Sequence, residues 1–398
     1  MSQSCDILIS GGGIAGLTAA AAFGSAGFDV ICVDPTPPVT DGAAQGADLR
    51  STAMLQPARA LLERAGLWEA LAPHAAPLQV MRIIDAGGEE PEPRVVREFN
   101  AEEISEMPFG WNFPNWLLRR EMVKRLEALD TVDFRPGVGT RRLFTRESGA
   151  RVTLSDGARI DAKLVIAADG RTSPMREASG IAVRTQRYGQ KALVFAVTHP
   201  VPHENVSTEV HRTGGPFTLV PLPDRDGLPC SAVVWMDDAR VAQQRLEMDE
   251  ETFNEEASVR SCHHFGPLTL VGPRQAWPII TQHAERLTAE RVALIAEAAH
   301  VMPPIGAQGL NMSLTDIATL LDLAQDRPGD LGDAKMLEAY HKARYGDITL
   351  RVRGIDLLNR ASQAGSMLAR DARAAGLSAL YGAAPVRKML MQMGLGMR

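Results

Sequence analysis

The chain has 398 residues, 45% of them hydrophobic, which is too long for one small core and enough for two intertwined domains with a terminal appendage. A formal charge of −6 and a pI near 5.9 argue against a nucleic-acid partner, which would leave a basic patch or stripe. Cys5, Cys32, Cys230 and Cys262 are far apart and form no C-x-x-C, so they read as reduced thiols of a cytoplasmic protein rather than as a disulfide frame or zinc site.

No basic n-region precedes the first apolar run, and no stretch nears the roughly 18 apolar residues of a membrane span. The expectation is a cytoplasmic chain that at most lies on a membrane surface. In chain order, Asp6 to Ser10 predicts a strand, Gly11-Gly12-Gly13-Ile14-Ala15-Gly16 a tight turn, and Leu17 to Ala26 an alanine-rich helix. Asp29 to Asp34 predicts the second parallel strand. Its last residue, Asp34, falls 18 residues beyond Gly16, close to the spacing at which a carboxylate meets a ribose hydroxyl in a βαβ nucleotide fold.

Helices are expected over 58–71 and 115–129, the latter with Leu118, Met122, Leu126 and Leu129 on one face. Between them Val80 to Asp85 reads as a strand and 89–98 as a surface excursion rich in Glu and Pro. From about Arg184 to Asp237 the pattern turns to β, with short strands expected over 192–198, 207–211, 217–221 and 231–236. Arg291 to Ile295 is a further strand, a helix is expected over 311–323, and helical spacing dominates beyond Leu331.

Three separated segments carry the chemistry. Gly11, Gly13 and Gly16 let the backbone approach a pyrophosphate, which would meet the amides of Ile14, Ala15 and Gly16 and the positive end of a helix dipole. Asp169-Gly170-Arg171-Thr172-Ser173 with Arg176 follows a strand, and Glu297-Ala298-Ala299-His300 precedes Pro303-Pro304-Ile305-Gly306-Ala307-Gln308-Gly309-Leu310-Asn311. Together they describe a site that grips an adenine dinucleotide at one end and an isoalloxazine ring at the other. Arg50 and Arg119 either neutralise phosphates or line the flavin, or are solvated surface residues; the sequence leaves both readings open.

In these motifs, in Trp277-Pro278, and in Tyr340, Arg344, Asp347 and Leu358-Asn359, the chain resembles the FAD-dependent aromatic hydroxylases of the para-hydroxybenzoate hydroxylase fold. Within them it is similar to the ubiquinone-biosynthesis hydroxylase branch, the UbiH/UbiF/COQ6-like group. The resemblance implies an α/β fold: a Rossmann-like FAD-binding domain (1–76, 109–182 and 285–330), interrupted by a β-rich substrate domain (77–108 and 183–284), with a C-terminal helical region (331–398). It implies that NAD(P)H reduces FAD and that O2, through a flavin C4a-hydroperoxide, gives one oxygen atom to the ring of a polyprenylphenol or quinone precursor.

The resemblance assigns the DG segment, with Asp169, Gly170 and Arg176, to FAD and NAD(P)H binding. It assigns the end of the 291–295 strand to the ribityl chain, where the family has Gly-Asp and this chain has Ala296-Glu297. Glu297 keeps the carboxylate, one methylene longer, while Ala296 lacks the backbone freedom of glycine. Amides around Pro304, Gly306, Gly309, Leu310 and Asn311 would face flavin N1 and O2.

Phe195, Phe217, Leu219, Pro221 and Trp235 are candidates for an apolar wall around the substrate, or are core residues of their sheet. His211 is a candidate base for a phenol, or a satisfied core histidine. His300 reads as structural beside the flavin, and Cys262-His263-His264 lacks ligand spacing, so no metal site is expected. Beyond Asp371 the tail is basic and methionine-rich, ending in Met397-Arg398, and suits either a membrane surface or partner proteins, or covers the FAD domain. Two other functions stay open: hydroxylation of a small soluble aromatic, and a flavin-binding scaffold without turnover.

Overall fold

The computed structural model describes residues 2–363 and 365–396, so Met397 and Arg398 lie outside the described residues. Strand Ser2–Ser10 occupies the middle of a mainly parallel sheet, between Arg159–Ala167 and Val30–Asp34. Val292–Leu294 lies beyond the first neighbour and Val132–Pro136 beyond the second. A parallel strand covered on both faces reads as an unbroken apolar run, as Ile7-Leu8-Ile9 does, and each such side chain stabilises by about 1.5–3 kcal/mol on burial.

The turn out of this strand requires glycine twice. Gly11 sits at φ +111°, and a Cβ there would lie 2.3 Å from the Ala168 carbonyl oxygen. A Cβ on Gly16 would lie 1.8 Å from the Gly11 carbonyl oxygen. The helix that follows, Ile14–Ser25, is covered on all sides, which explains its run of alanines in place of an amphipathic pattern.

A second sheet has eight strands in the order His300–Val301, Thr269–Ala284, Val183–Thr198, Leu228–Asp238, Pro216–Arg225, Val206–His211, Val80–Asp85, Val95–Asn100. Helices Ala239–Glu247 and Glu250–Arg260 cover its outward face and close a separate core there. Its inward face turns toward the first sheet: Ala192, Met236 and Ile279 belong to the main core. Strands Ser51–Leu55, Gly110–Pro114 and Ala76–Leu78 form a small third sheet. Helices Gln308–Asp326, Ala334–Ser362, Met367–Gly382 and Ala384–Leu395 complete the chain.

Several expectations change. The single helix over 58–71 is two, Gln56–Arg64 and Trp68–Leu71, because Gly66 takes φ +68° and Arg125 packs against it, where a Cβ would lie 2.7 Å from Nη2. The excursion over 89–98 ends as a real strand, Val95–Asn100, antiparallel to Val80–Asp85. The β segments are longer than expected, the first running over Val183–Thr198. The strand at 291–295 shrinks to Val292–Leu294, with Arg291 at φ +60°, and the helix expected from 311 begins at Gln308.

Candidate active site

At the C-terminal end of strand Ser2–Ser10 the helix Ile14–Ser25 begins without a side-chain cap, its N-cap being Gly13. The first intrahelical bond runs from the Leu17 N–H to the Gly13 carbonyl, so the amides of Ile14, Ala15 and Gly16 have no partner within the helix and face the turn. Asp34 closes the same turn: one carboxylate oxygen accepts the Gly12 N–H at 2.5 Å and the other the Thr36 N–H at 2.7 Å. Beside it opens a cavity of about 510 Å³ whose lining includes Pro37, Pro38, Val123, Phe134 and Pro136.

Arg50 and Arg119 converge on buried Asp48. Arg50 grips it with Nε and Nη2, both at 2.7 Å, Arg119 reaches it at 3.3 Å and Asn115 at 3.1 Å. Burial pushes the Asp48 carboxyl up, but the hydrogen bonds and charge of Arg50 outweigh it and hold the group below its ordinary value. Arg50 also lies over the Trp277 ring, 4.5 Å from its centroid. Neither arginine is a freely solvated surface residue, and the buried Nε of Arg119 has no partner among the described residues.

The DG segment is tied down from both sides. Asp169 accepts the Ser173 hydroxyl, the Met175 N–H at 3.1 Å and the Ser10 hydroxyl at 3.2 Å, while Gly170 takes φ +84°. Arg176 is buried and donates to the Ala298 carbonyl and the Arg171 carbonyl, each at 2.9 Å. It therefore braces the DG turn against the turn at Ala296–Ala299. Ala296 keeps the conformation that glycine would take, φ +55°, at a cost on the order of 1 kcal/mol for a residue with a Cβ. Glu297 stays half exposed, paired with Arg171 at 3.4 Å.

Gly306 and Ala307 both have positive φ and lead into helix Gln308–Asp326, whose N-terminus also lacks a side-chain cap. Pro304 precedes them, and Gly309 and Leu310 form the first turn. Asn311 is a tie rather than an open ligand: its amide donates to the Ala53 and Ala307 carbonyls, both at 2.7 Å, and its oxygen accepts the Leu55 N–H. Buried His300 bonds Asp316 at 2.7 Å, and Arg344 holds the other Asp316 oxygen at 2.8 Å. Sequence reading missed Asp316, the one acid among the buried residues of this helix.

On the facing sheet the candidate wall residues take the second of their two readings. Phe195, Phe217, Leu219 and Trp235 point outward, where Phe195 packs on Phe253 at 4.9 Å and Phe217 on Trp235 at 5.2 Å. Pro221 shares their alternation and is buried, its carbonyl accepting from Asn112 at 2.9 Å. These five are core residues. Alternation puts Val194, Thr218, Val220, Val234, Glu209 and His211 on the inward face. His211 is held by Glu209, Nε2 to Oε1 at 2.6 Å, and its Nδ1 has no partner among the described residues. Glu209 was not singled out from the sequence, though its two-residue spacing from His211 on a strand puts both on one face. His264, in the rejected metal cluster, contacts Arg82 through Nε2 at 2.5 Å.

Residues 4–349 match the FAD binding domain family. The chain is 33% identical over 394 residues to the ubiquinone hydroxylase UbiL of Rhodospirillum rubrum, covering 98% of this chain and 89% of that protein. It is 26% identical over 399 residues to the 3-demethoxyubiquinol 3-hydroxylase of Escherichia coli, covering 99% of each. The p-nitrophenol 4-monooxygenase PnpA of Pseudomonas putida superposes over 100% of both chains with a TM-score of 0.80 at 18% identity, a likeness of fold.

Proposed function

This chain belongs to the FAD binding domain family, and from that premise we propose that it is a monooxygenase that hydroxylates the aromatic ring of a polyprenylphenol or quinone precursor in ubiquinone biosynthesis. NAD(P)H is the transient reductant and O2 the oxidant in this reading. The observation that carries it is the end-to-end likeness to a ubiquinone hydroxylase, 33% identical over 98% of this chain.

The residues present fit FAD. Glycines stand where a Cβ would strike the backbone, two helix N-termini lack caps, and Arg119 keeps a buried unpaired N–H. The amides of Ile14, Ala15 and Gly16 would hold the pyrophosphate, with Arg50 and Arg119 neutralising its charge. Asp34 would take the ribose hydroxyls, and Glu297, released from Arg171, a ribityl hydroxyl. The start of helix Gln308–Asp326 would face the ring and stabilise negative charge on it. Asp169, Arg176 and Asn311 would position these segments through the bonds they already make.

Bound FAD supplies the redox chemistry: two electrons come from NAD(P)H, one oxygen atom of O2 enters the ring, and the other leaves as water. The chain's own residues orient and shield. Val194, Val220 and Val234 would lie against the substrate ring and exclude water. His211, oriented by Glu209, would accept the phenolic proton through Nδ1, making the ring more electron-rich. The polyprenyl substituent partitions into a bilayer, so the reading includes a cytoplasmic protein in peripheral contact with the membrane through its C-terminal tail.

The test is anaerobic titration of the purified flavoprotein with NADH and NADPH, with and without a short-chain polyprenylphenol, followed by O2. Reduction accelerated by the phenol and a hydroxylated product are expected. A protein that cannot be loaded with FAD, or that consumes NAD(P)H without hydroxylating any phenol, would sink the proposal.

A further inference from the structure

The last three helices expose apolar side chains on a scale found nowhere else among the described residues. Ten of the sixteen strongly exposed large hydrophobics lie at or beyond Leu350, while Phe144, Val201 and Leu228 are scattered singly elsewhere. On the final helix, Ala384–Leu395, the exposed residues are Val386, Met389, Leu390 and Met393, at i, i+3, i+4 and i+7, and only Met391 and Leu395 are buried. This is an amphipathic stripe pointed away from the body of the protein. Helix Met367–Gly382 has no buried residue and exposes Leu368 at 83% and Leu380 at 50%. Helix Ala334–Ser362 adds Leu350 and Leu357, at 64% and 68%.

The inward sides of the two tail helices are fixed, so these exposures do not come from a loose end. Arg373 donates to Asp85, which is itself buried and also held by Arg94. Tyr381 packs edge-on against Phe99 at 5.6 Å, and Arg387 bonds Glu103 at 2.7 Å. At the far end, Gln308, the first residue of the helix that opens at the candidate flavin site, donates to the Gly394 carbonyl at 2.8 Å. The apolar surface is thus joined to the site's border.

Charge selects the occupant. Residues 350–398 carry eight basic and two acidic side chains in a chain whose total is −6; Arg351, Arg360, Arg373 and Arg387 pair with Asp347, Asp356, Asp85 and Glu103, and no acidic residue follows Asp371. Arg353 and Lys388 are exposed and make no ion pair among the described residues. Two copies meeting through this face would set positive against positive. Leu and Met side chains interspersed with Arg and Lys match the boundary between headgroups and acyl chains of an anionic bilayer, where the apolar groups insert and the cations remain with the phosphates. No described helix is long and apolar enough to cross a membrane.

We infer that helices Met367–Gly382 and Ala384–Leu395, flanked by the end of Ala334–Ser362, form a surface that seats this protein on an anionic lipid bilayer, with the border of the catalytic crevice next to the lipid. The inference deepens the proposed function, and its purpose, delivery of a lipid-borne phenol, rests on that reading; the binding itself does not.

The test is flotation of the FAD-loaded full chain with vesicles of phosphatidylcholine alone and of phosphatidylcholine with phosphatidylglycerol. Flotation is expected with the second, weakening as salt is raised. The double variant Met389→Glu with Leu390→Glu should partition at least roughly ten-fold less, whereas Phe144→Glu with Leu228→Glu should float like the parent. FAD content and turnover of a water-soluble phenol should be unchanged in both. Failure of the parent to float, equal flotation of the tail variant, or a concentration-dependent dimer that only the tail variant abolishes would each overturn the inference. Flotation without turnover of any phenol would support the surface and count against the hydroxylase reading instead.

Discussion

On the outward face of the second sheet Phe195, Phe217 and Trp235 interlock with Phe253 beneath two helices, and each is at most 2% exposed. One residue along the same strands, the inward face carries Thr218, Val220 and Val234, all only partly buried, with the Glu209–His211 pair on the neighbouring strand beside Thr218. The outward face holds the domain together. At Thr218, Val220 and Val234 the inward face has smaller and less buried side chains than the aromatics on the outward one. Size therefore separates the two roles where hydrophobicity does not.

The sharpest break in this comparison is Trp235→Ala. It removes a buried aromatic that also lies 3.9 Å from the Arg245 guanidinium, and should cost about 3–5 kcal/mol. Val234→Ala, one position away, should cost about 1.5 kcal/mol or less on the scale of partly buried side chains. Denaturant midpoints of the two variants check this; similar losses would mean that the faces are not distinct.

A second contrast sets the ceiling over the inward face. Glu297→Ala should weaken FAD retention by about ten-fold, or 1.4 kcal/mol, while His264→Ala leaves it unchanged. Equal retention after gel filtration of both variants would remove Glu297 from the cofactor site. At the neighbouring position, Ala296→Gly relieves the positive φ and should raise stability by up to about 1 kcal/mol, read as a shift in melting temperature. A fall instead would show that the Ala296 methyl contributes more by packing than its backbone costs.

The smallest expected effect is a pH dependence confined to the inward pair. Burial pushes the Glu209 carboxyl up, but the hydrogen bond and charge of His211 bring it below its ordinary value of 4.5. Because the folded value is the lower one, the stabilisation is fully present above pH 4.5 and is lost as pH falls through the folded value. Glu209→Gln should lose that stabilisation at neutral pH and converge with the parent as pH falls through the folded value; unfolding curves from pH 3 to pH 7, taken in roughly one-unit steps, check it.

The nucleotide end was legible in the sequence because it depends on short-range needs. Gly11 and Gly16 stand where no Cβ fits, and Asp34 ends its strand at a fixed distance along the chain. The substrate face was not legible. Leu193-Val194-Phe195-Ala196-Val197 is apolar at both parities, so no polar alternation marks the inward side, and the sequence leaves open whether the aromatics are wall or core; their bulk belongs to the packed side. The Asp316–His300–Arg344 ties join residues that only tertiary contact brings together, which no local pattern records. The break at Gly66 needed the packing of Arg125 as well as the glycine itself.

The central claim is that a lipid-soluble phenol meets the flavin on the inward face. Its most direct test is the product mass formed by the FAD-loaded enzyme from NADPH, a short-chain polyprenylphenol and ¹⁸O-labelled O2, compared between the parent and Val234→Trp, which fills that face. The account predicts one labelled oxygen in the parent's product and none formed by the variant, with FAD content equal in both. An unlabelled product, or a variant that hydroxylates as well as the parent, would contradict it.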